Sequence, residues 1–208
     1  MSELISGKEA LMRTKRLICG IGINDLNRIS KNGIKIWEYV LWKNMLNRAY
    51  CEKFKEKNTG YSESISCDDW LVLSKFIHDI NLIYASDRYE KDGWNMDKDI
   101  MFKGNKVYSP ETVCFVPKEL NSLILNSRKT RGDLPLGVHM DNFGRFVSSI
   151  RIDNKKINLG IFNDIDSAFA KYKSVKEFEI KSKAEKWKGE IHKNVYNSLM
   201  AYTVDITD

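Results

Sequence analysis

Asp97, Lys98 and Asp99 stand in a row near the start of residues 94–121, WNMDKDIMFKGNKVYSPETVCFVPKELN. Residues 96–100 read as a short strand, 103–106 as a turn and 113–116 as a second strand. Pro117 then opens a helix through Leu120, Leu123 and Ile124, since proline is tolerated in a first helical turn. Strand, turn, strand and helix in that order can frame metal-assisted hydrolysis. In such a site one divalent ion neutralises a phosphate and the leaving oxygen, while a base on the first strand activates water. The same residues also admit a structural role. Asp97 and Asp99 alternate along the expected strand, would face one way, and could pair with Lys103 or Lys106. Asn105 after Gly104 is ordinary turn chemistry.

A second set of chemically capable side chains lies in residues 137–172, GVHMDNFGRFVSSIRIDNKKINLGIFNDIDSAFAKY. Phe146, Ser148 and Ile150 alternate with Arg145, Val147, Ser149 and Arg151, the period of a strand with two unlike faces. Asp153-Asn154 supplies turn chemistry before another run at 155–162. Asn163 or Asp164 can cap a helix on which Ile165, Ala168, Phe169, Tyr172 and Val175 recur at helical spacing. Ala168 and Ala170 would let that helix lie close on the sheet. The helix takes one sheet face, and the other carries Arg145, Arg151 and one or both of Lys155 and Lys156. A small sheet with an uncovered basic face suits entry into a DNA groove.

This segment resembles the ethylene-response-factor (APETALA-type) DNA-binding domain of plant transcription factors, which also occurs in phage and homing-type endonucleases. The resemblance rests on Gly137-Val138, Gly144-Arg145-Phe146, Ile150-Arg151, Leu159-Gly160-Ile161-Phe162, Ala168, Ala170 and Tyr172. It implies a three-stranded sheet in the major groove of double-stranded DNA, with His139, Arg145, Phe146, Arg151, Lys156 and Asn158 in contact and Lys155 beside them. Phe146 and Asn158 stand where the plant pattern has tryptophans, and His139 where arginine is common.

The phrase MDKDI…KGNKVYSPETVCFV…N resembles the HNH endonuclease motif, particularly phage versions that carry the same sheet module. Together the two resemblances span about residues 36–180. They imply a ββα-metal unit in which Asp97 and Asn121 bind a divalent metal, Mg2+ or similar. Lys98 occupies the place of the general-base histidine and Thr112 that of the middle asparagine. A protonated lysine cannot accept water's proton. Lys98 with Asp97 as catalytic pair therefore implies a metal-bound hydroxide or Lys98 acting as transition-state electrostatics. The alternative is a nuclease scaffold kept for binding alone. None of His78, His139 and His192 lies within the motif, and His78 reads as a partly buried helix residue.

The elements around these residues read as follows. Residues 1–34 form an extended arm, in which GIGIN lacks any nucleotide-loop pattern. Residues 35–127 hold helices and the ββα unit. One helix is expected over 36–54, and another carries Trp70, Leu71, Leu73, Phe76, Ile77 and Ile80 behind a Ser66/Asp69 capping box. Residues 128–135 are a linker, and 136–208 form the sheet module with a Lys/Glu-rich C-terminal helix whose charges read as a solvated face. Trp37, Trp42, Trp70 and Trp94 fall on apolar faces and read as core.

The 208 residues are 42% hydrophobic, enough for a real core, and carry a net charge of +6. A pI near 9.0 favours a polyanionic partner. Four scattered cysteines without a CxxC pair point to reduced thiols, not a disulfide frame or zinc ribbon. With no membrane-length apolar run and no signal-peptide core, a cytoplasmic protein is expected, in the bacterial host if phage-encoded. The expectation is an α+β DNA-binding protein. A non-enzymatic regulator and a protein-binding role, with the basic face meeting an acidic surface, are its competitors.

Overall fold

The computed structural model describes residues 17–124 and 134–207. The first sixteen residues of the expected arm and most of the expected linker lie outside them. Residues 17–35 are not a loose arm. Ile23 N–H donates to Leu71 O at 2.8 Å, Leu73 N–H donates to Ile23 O at 3.0 Å, and Asp25 accepts the Ser74 N–H at 3.0 Å. Ile18, Ile21, Leu26 and Ile29 pack on the core, and a Cβ on Gly22 would sit 2.2 Å from Leu46. Their spacing (i, i+3, i+8, i+11) is that of a helix face, but no helix forms among the intervening glycines and polar residues, and the chain buries them in irregular backbone.

Strands β1 (Ser30–Lys31) and β2 (Ile34–Lys35) form a hairpin, followed by α1 (Trp37–Tyr50) and α2 (Glu52–Lys57). The single helix expected over 36–54 breaks at Cys51, whose backbone is extended (φ −83°, ψ 107°). Next come β3 (Ile65–Ser66), a 3-10 turn over Asp68–Leu71, and α3 (Leu73–Ile80). Ser66 belongs to β3, and the 3-10 turn begins after Cys67 with no side-chain cap, so the expected capping box does not form. Trp42 donates its indole N–H to Trp70 O at 2.7 Å, and Trp70 donates its own to Asp79 at 2.9 Å. Both rings can thus be fully buried without an unsatisfied donor. His78, on the outer face of α3, is exposed, contrary to its expected partial burial.

After the short α4 (Arg88–Asp92), β4 (Asn95–Asp97) pairs antiparallel with β6 (Cys114–Val116), while β5 (Val107–Tyr108) pairs parallel with β3. Helix α5 (Lys118–Ile124) follows Pro117, burying Leu120, Leu123 and Ile124. The third sheet is antiparallel and runs β7 (Val138–Met140), β8 (Phe146–Ile152), β9 (Lys155–Phe162). Asp153 and Asn154 both take positive φ (47° and 64°) in the two-residue turn between β8 and β9, as a primed hairpin requires.

Helix α6 (Ile165–Trp187) crosses the sheet, and α7 (Lys193–Met200) packs on it. Asp164 caps α6, accepting the Ser167 N–H at 2.7 Å. Ala168, Phe169 and Tyr172 are buried against the sheet, whereas Ala170 faces solvent and takes no part in the close approach. Gly137 permits that approach: at φ 79° its ideal Cβ would stand 1.9 Å from the Tyr172 ring. The fold is α+β, with a three-stranded antiparallel sheet packed on a helix. One hydrophobic cluster runs from Tyr39 to Val204 without a break between the N-terminal half and the sheet module. Among the described residues no helix is long and apolar enough to cross a membrane.

Candidate nucleic-acid interface

Register assigns the faces of the β7–β8–β9 sheet. Val138, Ser148 and Gly160 are cross-strand neighbours, as are Phe146 with Phe162 and Ile150 with Ile157. Val138, Ser148 and Ile150 are buried, so this set faces α6. By the alternation of strands, the opposite face carries His139, Val147 (itself only 8% exposed) and Ile161 in one row, then Ser149 beside Asn158, then Arg151 beside Lys156. A bulge between Ser148 and Ser149 lets Asn158 oppose Ser149, and the Asn158 carboxamide oxygen accepts the Gly160 N–H at 2.9 Å across it.

His139, Arg151, Lys156 and Asn158 therefore share the uncovered face. Phe146 does not: its ring packs on the core from the α6 side. Lys155 pairs with Ile152, which is also packed on the core, and so projects from the rim of the covered side. Arg145 lies just before β8, in the β7–β8 turn, tied to Asp141 by Nε (3.0 Å) and a second guanidinium nitrogen (2.8 Å). Hydrogen bonds from Arg145 and the Phe143 N–H hold the Asp141 carboxyl below its ordinary range. Arg151 donates to Asn154 O at 3.2 Å and has no acidic partner among the described residues. The face also presents Ile161, 50% exposed, and its turn presents Phe143, 83% exposed. Neither was among the expected contacts, although the alternation 147, 149, 151 and its β9 partners could have identified Ile161.

In the β4–β6–α5 unit the expected five-residue strand stops at Asp97. One carboxylate oxygen of Asp97 accepts the N–H groups of Asp99 (2.7 Å) and Ile100 (2.8 Å), an Asx-type turn that ends the extended run. Asp97 and Asp99 are thus not consecutive residues of one strand face. Burial, more than the neighbouring Asp99, pushes the Asp97 carboxyl up from its ordinary range. Cys114 pairs with Asp97 across the sheet, and burial beside this acid pushes its thiol well up.

Lys98 turns the other way and is almost fully buried. Its Nζ donates to both Asp99 oxygens at 2.9 Å and to Asn105 O at 2.7 Å, 5.6 Å from the Tyr108 ring centre. All three ammonium hydrogens are engaged, so Lys98 is a structural tie of the 98–105 loop and is not arranged as a base. Thr112 likewise closes a turn, donating to Val107 O at 2.7 Å.

Asn121 is buried on α5, and its Oδ1 has no hydrogen-bond partner. Among the described residues no group of three or more His, Cys, Asp or Glu side chains is placed to hold a metal ion. The residues that would hold the implied divalent metal are Asp97 and Asn121. They offer hard oxygen donors of the kind Mg2+ accepts alongside water and phosphate, and the orphaned Asn121 oxygen fits that role. No family model, curated protein or solved structure matches the chain.

Proposed function

We propose that this chain binds duplex DNA through the uncovered face of the β7–β8–β9 sheet, with the β4–β6–α5 unit serving as a degenerate HNH-like scaffold. The observation that carries this reading is the Arg151–Lys156 pair, which projects from a sheet whose other face is filled by α6. Arg151 and Lys156 approach phosphates or base edges in the major groove, and Asn158 and His139 supply further hydrogen-bonding groups along the same face. The engagement of Lys98 with Asp99 and Asn105 supports the loss of hydrolysis, because the base position holds a fully hydrogen-bonded cation. Arg151→Ala/Lys156→Ala is expected to flatten the dependence of log K on log salt by about 2 if both contact phosphate. A base contact by Arg151 would instead cost about 1–3 kcal/mol of sequence discrimination. Unchanged slope and unchanged discrimination would refute the sheet as the interface.

The orphaned Asn121 oxygen favours a second reading, metal-dependent phosphodiester hydrolysis. A divalent ion bound there would supply charge neutralisation to the phosphate. In this reading Asp97 and Asn121 orient the ion, and the Lys98 ammonium stiffens the adjoining loop. Plasmid incubated with Mg2+ or Mn2+ separates the two. Nicking that disappears in Asp97→Asn while gel-shift affinity persists would establish the enzyme. A shift without nicking under either metal is the outcome expected of the scaffold.

A further inference from the structure

The β1–β2 hairpin has no role in the sheet module or in the β4–β6–α5 unit, yet its build is specific. Asn32 and Gly33 turn it through positive φ values of 52° and 78°, the geometry of a tight primed hairpin. Its base is fastened to the body: Ile36 N–H donates to Ile29 O at 3.0 Å, and both isoleucines pack on the core. Beyond that base every residue from Ser30 to Lys35 is exposed. A two-stranded ribbon standing in water is marginal by itself, so a projecting ribbon held only at its root is a candidate contact element.

The charge of the hairpin and its root is of one sign. Residues 26–37 contain Arg28, Lys31 and Lys35 and no acid. Among the described residues neither Arg28 nor Lys31 has an acidic partner, and Lys35 lies over the Tyr39 ring at 5.6 Å. Register sets Lys31 beside Ile34 on one face, where Ile34 is 75% exposed, and Ser30 beside Lys35 on the other. We propose that this hairpin is a second DNA-contacting element, with Ile34 against the groove, Lys31 beside it on the near backbone phosphates, and Arg28 and Lys35, off that face, on the phosphates flanking the ribbon. The proposal rests on the duplex-DNA reading above. The major groove admits a two-stranded ribbon, and three cations without a local acid complement a polyanion. A lipid surface is the weaker match, since one exposed isoleucine supplies little apolar area for insertion.

The test uses the full chain and a duplex long enough to reach both elements, with anisotropy titrations at several salt concentrations and a nuclease-protection footprint. Arg28→Gln/Lys31→Gln/Lys35→Gln is expected to lower the salt slope by about 3, near one unit for each phosphate no longer neutralised, and to shorten the footprint. Ile34→Ser is expected to weaken binding several-fold with the slope retained. Arg151→Ala/Lys156→Ala is run in parallel. Loss of binding there with no change in the hairpin triple variant would overturn the hairpin proposal and leave the sheet reading standing. A wild-type chain that fails to bind duplex at low salt would overturn both. Retention of the wild-type chain on phosphatidylserine vesicles, abolished in the triple variant while DNA binding is intact, would overturn the proposal in favour of a membrane contact.

Discussion

The Lys98 side chain is committed to its own loop. Its ammonium is buried and saturated by Asp99 and Asn105. Lys98→Met would strand a backbone carbonyl and a carboxylate that now share a charged donor. Urea unfolding should show a loss of about 2 kcal/mol, in the range for hydrogen bonds to charged groups, with DNA affinity unchanged. An affinity loss equal to that of Arg151→Ala would mean that Lys98 acts on the ligand. The order of two strands and a helix over residues 95–124 was legible from the sequence, with Asp97 in the first strand and Asn121 in the helix. The orientation of Lys98 was not, because it depends on the Asx-type turn at Asp97, and an aspartate in an expected strand carries no visible sign of bonding forward.

At the scale of elements, α6 holds the sheet and ties it to α5. Glu119 on α5 accepts from Lys183 Nζ (2.7 Å), Lys186 Nζ (2.6 Å) and the Trp187 indole (2.6 Å). Lys183 also reaches Asp153, in the β8–β9 turn, at 2.8 Å. Although partial burial opposes it, these three donors bring the Glu119 carboxyl down to about 2. A carboxyl depressed in the folded state contributes stability that is fully present above its unfolded value, near 4.5, and is lost as pH falls toward 2. Acid titration of stability should therefore be shallower between those limits in Glu119→Gln than in the wild type. Identical acid slopes would remove Glu119 as the cause. The alternation of β8 and the spacing of Ala168, Phe169 and Tyr172 made the sheet and helix readable. The Lys/Glu run of α6 hid this junction, since Lys176 and Lys183 read as solvated yet are buried. Gly137 is the backbone counterpart: Gly137→Ala forces a Cβ into Tyr172 at positive φ. It should cost about 3 kcal/mol, as overpacking added to backbone strain. A thermal midpoint within error of wild type would show that the helix can withdraw.

For the molecule as a whole, the hydrophobic cluster continues from α1 through β6 to α7, and Trp94 meets Trp187 edge-on at 5.9 Å where the halves join. Far-UV circular dichroism and tryptophan fluorescence should then report one coincident thermal transition. Two separated transitions would mean that the halves unfold independently. Residues 17–34 illustrate what composition conceals at this scale. Their glycines and polar residues read as an arm, whereas the backbone bonds of Ile23, the acceptor Asp25 and the close approach of Gly22 to Trp42 and Leu46 make them part of the body.

The Lys183–Asp153 bond has a bearing on kinetics. It fastens the tip of the β8–β9 hairpin, two residues from Arg151, to a long helix anchored in the core. A surface already immobilised before encounter surrenders little conformational entropy on docking. A groove-reading hairpin held in this way would engage as a rigid body, with its encounter rate governed by electrostatic steering and not by a folding step.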